Sequence, residues 1–238
     1  MSILSERRTS RTEKTIPLLV NGDRMKQPEF HRRYAEYDED EKWELIGGIV
    51  YKAPSMLSLA HSDYDGEIGY ILETYRRATP GTQTLHNATA ILGEESEPQP
   101  DLGLRILPEY GGQSRTTPDD YLQGAPELLV EVAHSRHAIA MHGKRDDYQR
   151  SGVLEYFVVC WEEQEAHWFH FPSGDMIRPN RQGISRSRVF PGLWLDVAAL
   201  LRLDSARLME VLQQGLASRA HAAFVKRLHT AHRKQSSR

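Results

Sequence analysis

Residues 128–133 read LLVEVA, a run in which every member but one belongs in an apolar interior. Its length suits a strand. The exception, Glu131, sets the constraint on the whole chain. Burying an ionised carboxylate costs several kcal/mol unless a cation or hydrogen-bond donors compensate, so a fold that buries this strand has to bring something positive beside Glu131. A strand with one face open to water, or a structural salt bridge, would meet the same demand without any chemistry.

Other segments alternate in type along the chain. WELIGGIVYKA, residues 43–53, reads as two short strands around a glycine pair, a hairpin signal. Between Leu57 and Ala78 the apolar positions Tyr64, Ile68, Ile71, Leu72 and Tyr75 recur at helical spacing, and Pro80 with Gly81 ends the pattern. Strands are expected over 89–92, 101–106 and 128–133. In the second, Leu102, Leu104 and Ile106 share one face, and Asp101, Gly103 and Arg105 share the other. A helix over 139–151, the strands EYFVVCW and AHWFHF, and one amphipathic helix carrying Leu208, Leu212, Leu216 and Phe224 complete the reading. Interspersed strands and helices imply a mixed β-sheet flanked by helices, an α/β (α+β) domain.

At 238 residues the chain fits one domain with appendages: a flexible arm over 1–24, the domain over 25–204, and a C-terminal helix with a basic tail over 205–238. Hydrophobic residues (39%) and 17 glycines exclude a wholly disordered chain. The sequence holds no apolar stretch of the roughly 18 residues a membrane span needs. The charged N-terminus lacks a signal-peptide core, and the single cysteine, Cys160, excludes a disulfide scaffold and a cysteine-rich zinc site. A cytoplasmic protein with no membrane partner is expected. From Val211 onward there are six basic residues and no acidic one. Such a tail grips phosphate or is simply a solvated end.

Two further residues gain meaning beside Glu131. Asp101 opens its strand directly after Pro100, where turn chemistry is the bland account. If its strand neighbours that of Glu131, the two carboxylates repel unless a divalent cation lies between them. Magnesium suits the gap, because it takes oxygen ligands and keeps several waters. Lys144 stands between Met141 and Tyr148 at offsets of three and four, so all three share a helix face. Its ammonium group either turns inward to pair with a carboxylate and position a water or snorkels to solvent. His134, His137 and His142 match no zinc spacing.

In their order along the chain, WELIGGIVYKAPS, His61, QPDL (99–102), APELLVEVAHS (125–135), KRDDYQRSGVLEYFVV (144–159) and FPGLWLD (190–196) carry a resemblance. The chain resembles the Uma-two family of restriction endonucleases, within the PD-(D/E)XK nuclease superfamily, over roughly residues 28–204. That resemblance implies a restriction-endonuclease-like fold. It implies Asp101 and Glu131 as ligands of Mg²⁺, with Mn²⁺ as a substitute, and Lys144 serving the attacking water. Glu44 matches an early acidic position as a further catalytic and metal residue, directly or through water. His61, Gln99 and Tyr148 are accessory candidates, packing against Tyr64 being an equal account of His61. The superfamily's lysine usually stands two residues past the acid, which here is Ala133, so Lys144 would be a migrated lysine. Ala133, His134 and Ser135 replace the family's usual Ser-Pro-Ser, and Cys160 replaces its usual Asp.

The implied activity is metal-dependent endonuclease hydrolysis of nucleic acid, DNA ahead of RNA, with Arg105, Arg136, Arg145, Arg150 and the tail as grips. A symmetric homodimer is compatible with cutting both strands. The alternative is a catalytically inactive nuclease-fold binding or scaffold protein, in which the same charges form only an ion-pair network.

Overall fold

The computed structural model describes residues 16–37, 41–53 and 58–236. The elements run as α1 (Gln27–Tyr34), β1 (Trp43–Ile46), β2 (Ile49–Lys52), α2 (Leu59–Ala78), β3 (Thr82–His86), β4 (Ala90–Ile91), β5 (Leu102–Ile106), β6 (Arg115–Thr116), β7 (Leu122–Gln123) and β8 (Leu128–Ala133). They continue with α3 (Gly143–Ser151), β9 (Glu155–Cys160), β10 (Glu165–His170), β11 (Asp175–Met176), β12 (Ile184–Arg186), β13 (Trp194–Asp196), α4 (Val197–Leu201), α5 (Ser205–Leu216) and α6 (Arg219–Ser236).

The main sheet has six strands in the order β11-β10-β9-β8-β5-β3. Only β8 and β9 pair in parallel; the other neighbours are antiparallel. A parallel pair needs a crossover, and α3 lies within it. Both central strands are buried along their whole length, which explains why LLVEVA and EYFVVC read as nearly continuous apolar runs rather than alternating ones.

Alternation assigns the two faces. Leu128, Val130 and Val132 of β8 join Phe157 and Val159 of β9 in a core with α2 and the C-terminal helices. Leu129 and Ala133 join Tyr156, Val158 and Cys160 on the opposite face, against Tyr148 of α3. Glu131 falls on that second face by parity. The pairing of Leu102 with Val130 and Gly103 with Leu129, continued by one residue, sets Asp101 opposite Glu131.

The Gly47–Gly48 pair turns the β1–β2 hairpin with φ of 58° and 76°, the left-handed pair that a tight two-residue turn requires. An antiparallel bridge between Leu45 and Glu97 ties the hairpin to the segment before β5, with backbone bonds of 3.2 and 2.8 Å.

Several expectations need correction. The helix expected over 139–151 is a 3-10 turn, Ile139–Met141, followed by α3. The chain breaks at His142, and at Gly143 a Cβ would lie 2.7 Å from Ile139 Cγ1, so only glycine allows so sharp a join. The single C-terminal helix is two, α5 and α6, divided after Leu216. Leu208, Leu212, Phe224 and Leu228 from both helices belong to the α2-side core. The strand expected over 89–92 shrinks to β4, which pairs with β7 outside the main sheet. Helix α2 begins at Leu59; Leu57 lies outside the described residues. The expected arm also lies outside them as far as residue 15. Beyond it, Leu19 is buried, and Gly22 and Asp23 bond Val50 in β2. Among the described residues no helix is long and apolar enough to cross a membrane.

Candidate active site

Four charged side chains from four separate segments meet on the α3 face of the sheet. Glu44 comes from β1, Asp101 from the start of β5, Glu131 from β8 and Lys144 from the first turn of α3. They expose only 4%, 8%, 5% and 5% of their surface. All four line one cleft of about 740 Å³. The cation that burial of Glu131 demands is Lys144, whose Nζ donates to Glu131 Oε1 and to Glu44 Oε1, both at 2.9 Å. Tyr148, one turn along α3, donates its hydroxyl to the same Glu131 oxygen at 2.7 Å. The helical offset of four between Lys144 and Tyr148 therefore aims two donors at one acceptor.

Asp101 is held differently. Its Oδ2 accepts the Val132 amide at 2.8 Å, and His61 Nε2 stands 3.4 Å from that oxygen. His61 occupies the first turn of α2, where its amide bonds the capping Ser58 hydroxyl at 3.2 Å. Glu44 takes a second bond from the Gln99 amide at 2.7 Å. The Gln99 side chain turns away from the cluster to Tyr34 Oη and Thr89 Oγ1, each at 3.0 Å. Gln99 thus serves the site through its backbone alone.

The electrostatics follow from the count of charges. Burial pushes the Glu131 carboxyl up from 4.5 to about 7, outweighing the pull of Lys144, with Asp101 and Glu44 adding to the rise. Burial pulls the other way on Lys144, yet two carboxylates outweigh it and hold the ammonium group charged above its ordinary range. The asymmetry is physical: Lys144 faces two anions, whereas Glu131 faces one cation and two anions. Burial also opposes ionisation of Asp101, but His61, the Val132 amide and Lys144 overcome it and keep that carboxyl below its ordinary value. The Asp101 carboxylate in turn raises His61.

The donor set suits a hard cation. The hydrogen bonds fall on Oε1 of Glu131 and Oδ2 of Asp101, so each carboxylate keeps one oxygen that accepts none from the described residues. Glu44, Asp101 and Glu131 bring three carboxyl groups to Lys144 at one end of a cleft that Lys42 and Lys52 also line. Carboxylate oxygens are the ligand type that hard divalent cations take. No group of three or more metal-ligating side chains is gathered among the described residues, and the His134, His137 and His142 set forms none.

Of the basic residues expected to grip a substrate, Arg105 is misplaced. It is buried, bonding Gln83 at 2.8 Å and Thr116 at 2.9 Å, because its half of β5 is covered on both faces. Arg136, Arg145 and Arg150 are each paired with an acid, and no residue of α6 lines the cleft. Besides Lys144, the lysines that line it are Lys42 and Lys52, the latter paired with Glu41 at 2.9 Å; the sequence reading passed over both. Lys42 is two residues from Glu44 and so takes the same face of the hairpin, a signal that strict alternation would have supplied.

A six-stranded mixed sheet flanked by helices is an α+β architecture, and Asp101, Glu131 and Lys144 stand together on its α3 face. The chain is similar to the crystal structure of a "putative nuclease belonging to DUF820" from Anabaena variabilis ATCC 29413, with a TM-score of 0.56 and 14% identity, covering 71% of this chain and 97% of that one. No curated protein matches. Residues 27–198 match the model of the Uma2 family, described as "Putative restriction endonuclease", and the chain belongs to that family.

Proposed function

We propose that this protein is a metal-dependent endonuclease that hydrolyses nucleic-acid phosphodiester bonds, with DNA preferred over RNA. The observation that carries the reading is the meeting of Asp101, Glu131 and Lys144 on one sheet face, at the floor of a cleft large enough for a nucleotide. Asp101 and Glu131 would hold Mg²⁺, with Glu44 reaching it directly or through water. The bound ion would supply Lewis-acid polarisation of the phosphoryl oxygen and a water of lowered pKa.

The chain's own groups do the rest. An ammonium group has three protons to donate, and Lys144 spends two on Glu44 and Glu131. The third is left for a water or for the negative charge that develops on the phosphate. Tyr148 and Glu44 fix the lysine and Glu131 against the sheet. The same reading has the protein act in the cytoplasm, and a symmetric homodimer is compatible with cutting both strands of a duplex together.

Plasmid and oligonucleotide cleavage at millimolar Mg²⁺ tests this. Wild type should cut and Asp101→Asn should not, while its circular dichroism stays native. Cleavage retained in Asp101→Asn would overturn the assignment. One observation favours the scaffold alternative: Lys144 already satisfies two of the acids, as a purely structural network would.

A further inference from the structure

The floor of the cleft accounts for a phosphate, but not for its wall. Besides residues of the hairpin and the start of α2, the cleft is lined by Trp161, His134, Ala138, Ile139 and Ala140. These come from the ends of β8 and β9 and the 3-10 turn that follows. The Trp161 and His134 rings lie 4.5 Å apart between centroids and tilted by 52°. Trp161 is half-buried, and the His134 side chain is 64% exposed. A phosphodiester backbone gains nothing from such a wall, whereas a nucleobase presents a π-face to it. The Lys42 ammonium group, which also lines the cleft, makes no ion pair among the described residues and donates to Asn87 Oδ1 at 3.3 Å, which leaves a cation for a neighbouring phosphate.

We infer that the cleft receives a single nucleotide whose base is unstacked from its neighbours and rests on the Trp161–His134 wall while its phosphate lies over the acidic floor. The substrate class is thus a single strand, or a nucleotide extruded from a duplex, rather than an intact base pair. This rests on the hydrolytic reading and narrows it. The four floor side chains expose at most 8% of their surface and line the cleft, so a phosphate meets them there. The cleft volume of about 740 Å³ is that of pockets enclosing one small molecule, and extrusion is the general way to bring a paired base into such a pocket.

The test is binding, read by fluorescence anisotropy in EDTA, where a metal-dependent nuclease does not cut. The probes are a short labelled single strand as DNA and as RNA, the DNA strand annealed to its complement, and the DNA strand with abasic sites. The single strand should bind about tenfold or more tighter than the duplex, and removing its bases should cost the same order. Trp161→Ala should weaken the intact strand roughly 5- to 150-fold and the abasic strand little. Because Trp161 also packs against the core, His134→Ala, an exposed ring, provides a second variant expected to shift the same way without unfolding. Equal binding of duplex and single strand, or of intact and abasic strands, overturns the inference. Cleavage assays separate the two readings: duplex cut normally by Trp161→Ala removes this inference and keeps the nuclease, while base-dependent binding without any cutting keeps this inference and removes the hydrolysis.

Discussion

Replacing Glu131 by Gln separates a functional charge cluster from a structural one. The folded carboxyl titrates near 7 against an ordinary 4.5, so the folded state holds a proton that the unfolded state releases across that window. Stability therefore falls as pH rises from about 4.5 to 7 and stays lowered above it. At about 1.4 kcal/mol per pH unit the ionised carboxylate costs the fold about 3 kcal/mol, with the attraction of Lys144 already included. An amide carries no such penalty. Its oxygen can still accept from Lys144 and Tyr148 at the place of Oε1, and its NH₂ group falls where Oε2 takes no bond from the described residues. In EDTA at pH 8, urea unfolding should show Glu131→Gln more stable than wild type by about 3 kcal/mol. At pH 5 the gain should shrink to under about 1 kcal/mol. A variant less stable than wild type at pH 8 would refute the reasoning, because the Lys144 pair would then be a net stabiliser, as a scaffold requires.

Three other outcomes follow from the same geometry. Lys144→Met leaves Glu44 and Glu131 buried without a cation; it should abolish cleavage and cost about 3–5 kcal/mol at pH 8, with part of that recovered at pH 5 in urea titrations as Glu131 takes up a proton. Magnesium should raise the melting temperature, equivalent to about 2.7 kcal/mol at a hundredfold excess over its dissociation constant, and more at pH 8 than at pH 6, since the ion displaces the proton from Glu131. Gln99→Ala should lose about 1–2 kcal/mol from the Tyr34 and Thr89 bonds but keep cleavage near wild type, because its backbone amide still holds Glu44.

The strand bearing Glu131 was legible because burial on both faces leaves an apolar run in which one acid stands out. Lys144 was legible because helical offsets of three and four tie it to Met141 and Tyr148, even though the helix starts later than its periodicity suggests. The break at His142 was hidden: apolar periodicity runs through it, and only the close approach of Gly143 to Ile139, four residues back, marks the join. The division between α5 and α6 was hidden because Leu208 and Phe224 continue one apolar pattern across the turn that follows Leu216. Arg105 looked like a surface cation because alternation gives parity but not depth. The approach of Glu44 to Lys144 across 100 residues depends on the Leu45–Glu97 bridge, which no local pattern announces.

The most direct test is a crystal soaked with Mn²⁺ and phased on its anomalous signal. The account predicts one peak within about 2.2 Å of a carboxylate oxygen from both Asp101 and Glu131, which places those two oxygens no more than about 4.4 Å apart. A peak away from these residues, or none at millimolar Mn²⁺ with Lys144 still joining Glu44 to Glu131, would contradict it.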